Sequence, residues 1–249
     1  MSRTLAVFRR EMRAAFESPI AYVTIALFVL VLDGLFFFIG YPIGRVPLPG
    51  LWEGGQASLI VLFTWLPLLL AFLIPALTMA AWAEERKEGT EELLLTYPIR
   101  TGEVVVGKFL AAWALVTLLV VLAVLPVAAA VGGLGPLDWS TVWVGLMGAV
   151  LLGAGYCAIA LLLSACTQEQ LVAFLFGSLA LGTLWLLRML VTVLPAGIAR
   201  GIEYACPSTH FLESAALGVV DVRDFVYFAL LVAFGLYLNV VVVERRRWR

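Results

Sequence analysis

Residues 101–125 read TGEVVVGKFLAAWALVTLLVVLAVL, and their interpretation decides the fold. Gly102 and Gly107-Lys108 stand at the spacing of a phosphate-binding loop, G-x-x-x-x-G-K-[ST]. In such a loop the last hydroxyl ligates magnesium, and the loop joins a strand to a helix. Here that position is Phe109, which has no oxygen to offer. The residues before it, LLLTYPIR, contain Pro98, and those after it form a long apolar run. The stretch therefore reads as the start of a membrane-crossing helix, with Thr101 expected as its N-cap and Glu103 in its first turn.

The rest of the composition agrees. The chain has 249 residues, of which 63% are hydrophobic and only 13% charged. A soluble domain would be about half apolar and a quarter charged. Apolar runs of about 20 residues cross a bilayer as helices. Six are read here, from Ile20 to Gly40, Leu59 to Trp82, Val104 to Val131, Thr141 to Ala165, Leu171 to Leu194, and Phe225 to Val243. No soluble stretch is long enough for a nucleotide-binding domain.

Basic residues set the expected orientation. Arg3, Arg9, Arg10 and Arg13 precede span 1, and Arg86, Lys87, Arg100 and Lys108 lie between spans 2 and 3. Arg245, Arg246, Arg247 and Arg249 follow span 6, while the other side receives Arg45, Arg200 and Arg223. The expected architecture is an all-α integral membrane protein with six transmembrane helices and both termini cytoplasmic. Leu5, Phe8, Met12, Ala15 and Phe16 recur at helical spacing, so residues 1–19 are expected as an amphipathic interfacial helix ended by Pro19. Residues 20–249 form the six-span domain. Cys157, Cys166 and Cys206 suggest no disulfide framework. The net charge of −1 says little, because in a membrane protein the distribution of charge matters more than the sum; no nucleic-acid partner is expected.

The loop at residues 83–103 carries more signal. Span 2 continues as a charged helix through Glu84, Glu85, Arg86, Lys87 and Glu88, and Gly89 allows a turn. Thr90 can cap a second short helix containing Glu91, Glu92, Leu93, Leu94 and Leu95, which Pro98 ends. Its leucines suit a groove on a partner or, equally, lipid headgroups. In the turn CTQEQ, Thr167 and Gln170 form a T-x-x-Q capping pattern for span 5. That turn, with Gln168 and Glu169, is a second candidate contact or a plain cap.

Within the spans, Asp33 and Arg188 are expected at similar depth in the outer half, as a paired gate or a structural ion pair. Pro67 and Pro75 in span 2 and Pro126 in span 3 can kink their helices. Residues 195–224, the longest extracytoplasmic segment, are expected to fold as short amphipathic helices on the outer leaflet. Asp221 or Asp224 is expected to cap span 6. Cys206 and His210 have C-x-x-x-H spacing, but two soft ligands without a third make a weak metal site, so none is assigned. No nucleophile–base or carboxylate pair stands in register for catalysis.

The order E-x-x-x-G-T-x-E-x-L-L-x-x-P followed by G-K opening a span resembles permease subunits of ABC type-2 exporters. The tail HFLESAALGVVDVRDFVYFALLVAFGLYLNVVVVERRRW, residues 210–248, is similar to the same permeases. Those associated with gliding motility and with copper-enzyme (nitrous oxide reductase) maturation are the nearest in pattern. The resemblance implies a non-catalytic transport subunit that binds no cofactor itself. ATP and magnesium would belong to a cytoplasmic ATPase subunit, commonly present in two copies with two permeases, a homodimer or a pair of paralogues. It also implies a cytoplasmic (inner) membrane location and a coupling element spanning Glu84 to Thr96. Two readings compete. One is an ion-coupled transporter or membrane enzyme working without an ATPase. The other is an ATP-driven transmitter of force to an extracytoplasmic partner.

Overall fold

A computed structural model describes residues 3–42, 47–55, 57–87, 89, 100–190 and 195–247. Among them every regular element is helical, apart from one antiparallel bridge between Tyr41 and Leu48. Six helical stretches are long and apolar enough to cross a membrane: Ala21–Ile39, Ile60–Lys87, Thr101–Leu134, Trp139–Cys166, Gln170–Met189 and Val222–Arg245.

Helix α1 (Arg3–Glu17) is amphipathic, and Pro19 opens α2 (Pro19–Gly34). Proline suits a first helical position because the missing N–H would have no partner there. Helix α2 widens into a π-helical turn over Leu35–Ile39 and stops at Gly40, whose φ is 70°. A Cβ at Gly40 would stand 2.4 Å from the Leu48 carbonyl oxygen, so the tight return of the chain requires glycine. A short helix α3 (Leu51–Gly54) follows.

Span 2 is built from α4 (Ile60–Thr78) and α5 (Ala80–Lys87). The interruption at Met79 falls one turn after Pro75. Ser164, from another span, fills it: its Oγ donates to the Met79 carbonyl (3.0 Å) and accepts from the Trp82 N–H (3.3 Å). A side chain inserted into the backbone ladder is an ordinary cause of a helix break.

Helices α6 (Thr101–Leu134) and α7 (Trp139–Cys166) follow. Asp138 caps α7, accepting from the Ser140 N–H (3.0 Å) and from the Ser140 and Thr141 hydroxyls (2.6 Å each). These bonds hold its carboxyl below the ordinary carboxylate range. Helix α7 lies at the centre, packed by α4, α6, α8 and α11. Its glycines let neighbours approach: a Cβ at Gly145 would meet the Phe63 ring at 2.5 Å.

Helix α8 (Gln170–Leu190), α9 (Ala196–Ala205), α10 (Pro207–Glu213), a 3-10 turn at Ala215–Leu217 and α11 (Val222–Arg247) complete the chain. The spans fall into two groups. Those of α4–α5, α6 and α7 have 61%, 50% and 67% of their most apolar window buried, whereas α2, α8 and α11 have 17%, 28% and 22%. The second group forms the periphery, with apolar faces turned to lipid or to another chain.

Candidate functional site

One end of the bundle gathers the start of α1, the end of α5, the start of α6 and the α7–α8 turn; we call it the basic end. Lys108 sits two turns into α6 with its side chain only 2% exposed. Its Nζ lies 3.1 Å from Glu11 Oε1, 3.0 Å from Glu85 Oε1 and 2.8 Å from the Ala81 carbonyl oxygen, with the Trp82 ring 5.1 Å away. Arg10 closes the group through Glu85 Oε1. Two cations face two carboxylates, so the cluster is neutral overall. A buried ammonium is tolerable only when paired and hydrogen-bonded. At Gly107 an added Cβ would stand 2.8 Å from the Val7 side chain and 3.1 Å from the Thr4 carbonyl oxygen. The G-K pair that mimics a phosphate loop is thus a helix crossing followed by a buried counter-ion, and it ties α1, α5 and α6 together.

The charged extension of span 2 forms as expected, and Gly89 takes the left-handed turn with φ of 70°. Its residues divide by exposure. Glu84 faces solvent, whereas Glu85 is buried in the cluster and unavailable to a partner. Arg86 Nη1 donates to the Thr167 carbonyl oxygen (2.6 Å), and Lys87 Nζ lies 3.5 Å from Glu169 Oε2. The end of α5 and the α7–α8 turn, read from sequence as two contacts, are therefore one continuous surface with Gln168 exposed on it. Glu88, Thr90, Glu91, Leu93 and Leu94 lie outside the described residues.

Two expected caps are corrected. Thr101 is the first residue of α6, not its N-cap; Arg100 holds that position, and its N–H donates to Glu103 Oε2 (3.1 Å). Thr167 closes α7 rather than capping α8: its N–H and hydroxyl both donate to the Ser164 carbonyl (3.3 Å each). The next helix begins only at Gln170, so the N-cap position falls on Glu169, two residues beyond Thr167.

At the distal end the expectation of amphipathic helices lying on the outer leaflet fails for α10. Pro207, Ser208, Thr209, Phe211 and Leu212 are buried. The thiol of Cys206, fully buried between α9 and α10, donates to the Leu184 carbonyl oxygen (3.3 Å), roughly 9 Å inside the end of α8 at 1.5 Å per residue. The segment therefore re-enters the bundle. A Cβ at Gly148 would lie 2.2 Å from the Ala215 Cβ, and Phe211 meets Phe63 edge-on at 6.1 Å. Small residues on α7 make room for this plug.

His210 anchors the plug. Its Nδ1 lies 2.7 Å from Asp224 Oδ1, its Nε2 3.2 Å from the Tyr204 carbonyl oxygen, and its ring stacks on Tyr227 at 4.0 Å. Ser214 Oγ contacts the other Asp224 oxygen, and the Tyr227 hydroxyl donates to the Ala205 carbonyl (2.8 Å). Ser214 thus meets the carboxylate and not the imidazole, which is the wrong order for a nucleophilic triad. Asp221 caps α11, accepting from the Arg223 N–H (2.9 Å), so Asp224 is left for His210. No group of three potential metal ligands occurs among the described residues.

Asp33 and Arg188 are not joined by an ion pair within the chain. Asp33 Oδ1 is buried without a hydrogen-bond partner. Arg188 acts elsewhere: burial pushes the Tyr41 hydroxyl and the Cys206 thiol up, and the Arg188 charge opposes both shifts. Other buried polar atoms without partners include the Tyr41 and Tyr156 hydroxyls and those of Ser208 and Thr209. Sequence reading missed Lys108, Glu11, Ser214 and Tyr227. The usable signal was Lys108 itself, a cation deep in an apolar helix.

Among the described residues the chain is a helical bundle with six candidate spans and a joined surface at its basic end. The family model described as ABC-2 family transporter protein matches residues 5–218. The chain belongs to the ABC-2 transporter family. It is a multi-pass membrane permease of the ABC type, a class that works with an ABC ATPase and through paired permease chains. No curated protein shows significant similarity to this ABC-2 permease.

Proposed function

We propose that this permease is driven through its basic end by a separate cytoplasmic ATPase, and that two copies pair around the translocation path in the cytoplasmic membrane. The observation that carries the reading is the joining of α5 to the α7–α8 turn, through Arg86 with Thr167 and Lys87 with Glu169. A load on this surface is transmitted inward by the Lys108 cluster, which grips α1 and α6 as well as α5. Glu84, Arg86, Glu88, Gly89, Thr90, Glu91, Leu93 and Leu94, with Gln168 and Glu169, form the docking surface. The basic end faces the cytoplasm, in keeping with the arginines of α1 and α11. ATP and magnesium are held by the ATPase, and the permease performs no chemistry. The gliding-motility and copper-enzyme maturation permeases are the subtypes its motifs resemble most, and the residues favour neither of the two over the other.

Asp33 and Arg188, apart within one chain and on peripheral helices, pair across the two permeases as an outer gate. The unpartnered atoms of Asp33, Tyr41, Tyr156, Ser208 and Thr209 are the polar groups a passage beneath α10 uses. The buried unpartnered Asp33 also favours one competing reading, ion-coupled transport without an ATPase. Co-purification from native membranes in mild detergent, followed by an ATP hydrolysis assay, separates them. A stoichiometric ATPase lost on Glu88→Ala/Leu94→Asp is expected. A stable permease with no ATPase, whose flux loses pH dependence on Asp33→Asn, would establish the competing reading.

A further inference from the structure

His210, which anchors α10, is the only histidine of the chain. Its side chain is 14% exposed and that of Asp224 16%, so the pair is sheltered but still within reach of water. The ring meets a polar atom at each nitrogen: Nδ1 lies 2.7 Å from Asp224 Oδ1, and Nε2 lies 3.2 Å from the Tyr204 carbonyl oxygen. A carbonyl and a carboxylate are both acceptors. A neutral imidazole carries one N–H and can serve one of them; the imidazolium donates to both.

The partners have no proton to spare. A backbone carbonyl holds none. The second Asp224 oxygen is met by Ser214 Oγ, whose one proton already faces two acceptors, Asp224 Oδ2 and the His210 carbonyl. The proton between Nδ1 and Oδ1 therefore rests on one of those two atoms, and an imidazole is the stronger base. The Tyr227 ring lies against the imidazole at 4.0 Å and 21°, and a cation over an aromatic face is attracted to it. The Tyr227 hydroxyl, bonded to the Ala205 carbonyl, holds that ring in place.

The surrounding charges leave this pairing in control. From α11, Asp224 forms an ion pair with the ring and Asp221 lines the same small cavity. From α9 come Glu203 and Tyr204, and α10 itself adds Glu213, which is exposed. Tyr156 of α7 and Arg188 of α8 act on the neighbouring Cys206. Helix α4 brings no ionisable residue. We propose that His210 is a proton-operated latch: as an imidazolium it ties α10 to α9 through Tyr204 and to α11 through Asp224, and loss of its proton to water frees the plug. The neutral ring keeps one N–H, so one of the two ties drops. Because the protonated ring makes the bonds, removing the proton favours release. The latch is made above the range in which carboxylates titrate and is lost as pH rises through the range in which imidazoles do. The distal gate thus answers to the acidity of the compartment it faces.

A single histidine makes the test direct. The full chain, grown with isotope-labelled histidine and held in detergent micelles, is followed by nitrogen NMR between about pH 5 and pH 8. Both ring nitrogens are expected to carry protons at the acid end, with one lost toward the alkaline end. Alongside, maleimide labelling of Cys206 in the folded chain is divided by that of the denatured chain at the same pH, which cancels the reagent's preference for thiolate. This protection should fall at least about ten-fold across the same step, the share held by one hydrogen bond to a charged group. Asp224→Asn, which keeps an acceptor and removes the charge, should move the proton loss to lower pH. His210→Gln, which carries no charge at any pH, should make the protection independent of pH. A ring whose charge state does not change over the range overturns the proposal, and so does Cys206 protection that ignores the ring's loss of a proton. The unmodified chain gives both readings with no ATPase attached, so this proposal and the export reading fail separately.

Discussion

The two ends of the bundle are closed by different chemistry. At the basic end the closure is ionic: Lys108, Arg10, Glu11 and Glu85 join three helices, the Lys108–Glu11 contact linking residues 97 positions apart. At the distal end it is steric: α10 dips into the bundle, small residues of α7 receive it, and His210 and Ser214 on Asp224, with the His210–Tyr227 stack, pin it to α11. An ionic joint inside low dielectric is costly to break by halves, so it transmits force as a unit. A plug held by packing and a few hydrogen bonds gives way more readily. The contrast suits a machine that is pushed at one end and opens at the other.

The largest expected effect tests the ionic side. Lys108→Met removes the buried ammonium that faces the buried Glu85 and the half-buried Glu11, a loss of about 3–5 kcal/mol. For a chain of this size that is a fall of roughly 10 °C in melting temperature. Adding Glu85→Gln and Glu11→Gln should recover most of it, since a neutral apolar core is often as stable as a buried pair. Thermal unfolding in detergent checks both. If Lys108→Met melts like wild type, the cluster is not a joint.

Next comes the steric side. Gly148→Val drives a side chain into Ala215 and should cost about 1–3 kcal/mol by overpacking. The strain displaces α10 before it unfolds the bundle, so the readout is thiol labelling. In the unmodified chain Cys166 is exposed and reacts with maleimide, while Cys157 and Cys206 are buried and protected. In Gly148→Val, and more weakly in His210→Ala, Cys206 should become reactive with Cys157 still protected. Cys206 labelling that ignores both substitutions would show that α10 is not a movable plug.

The smallest effect marks the boundary of the ionic joint. Lys87 and Glu169 are 62% and 61% exposed and 3.5 Å apart. Glu169→Gln should change stability by less than about 0.5 kcal/mol, while altering ATPase docking if that surface is the contact. A large loss of stability would mean that the joint extends to the surface.

How much of this was legible follows from how local each signal is. The six spans, the charged continuation of span 2, the turn at Gly89, the role of Pro19 and the Asp221 cap are all written within a few neighbouring residues. The cluster is not, because Glu11, Glu85 and Lys108 meet only after three helices have packed. Likewise the burial of α10 depends on Gly145 and Gly148, some 60 residues earlier, and short polar helices look alike on a surface and inside a bundle. The Thr101 cap was misplaced by one residue, because the Glu103 carboxylate satisfies the N-cap N–H whatever side chain stands there, and the Thr167 cap by two, because α8 starts only at Gln170. For Asp33 and Arg188 adjacency was not readable, because it depends on how the spans pack and not on position along them.

The most direct test of the central claim is a crosslink. Glu84→Cys and Gln168→Cys stand on the surface at the basic end, and Tyr204→Cys on the exposed face at the distal end. Each is placed in a Cys166→Ser background, which removes the native exposed thiol at the basic end, carried into native membranes and treated with a short bifunctional maleimide–amine reagent, and the products are identified by mass spectrometry. The account predicts that Glu84→Cys and Gln168→Cys both join to one ATPase subunit, and that Tyr204→Cys joins to none. ATPase crosslinks at Tyr204→Cys, or at only one of the two basic-end positions, would contradict the single docking surface on which the mechanism rests.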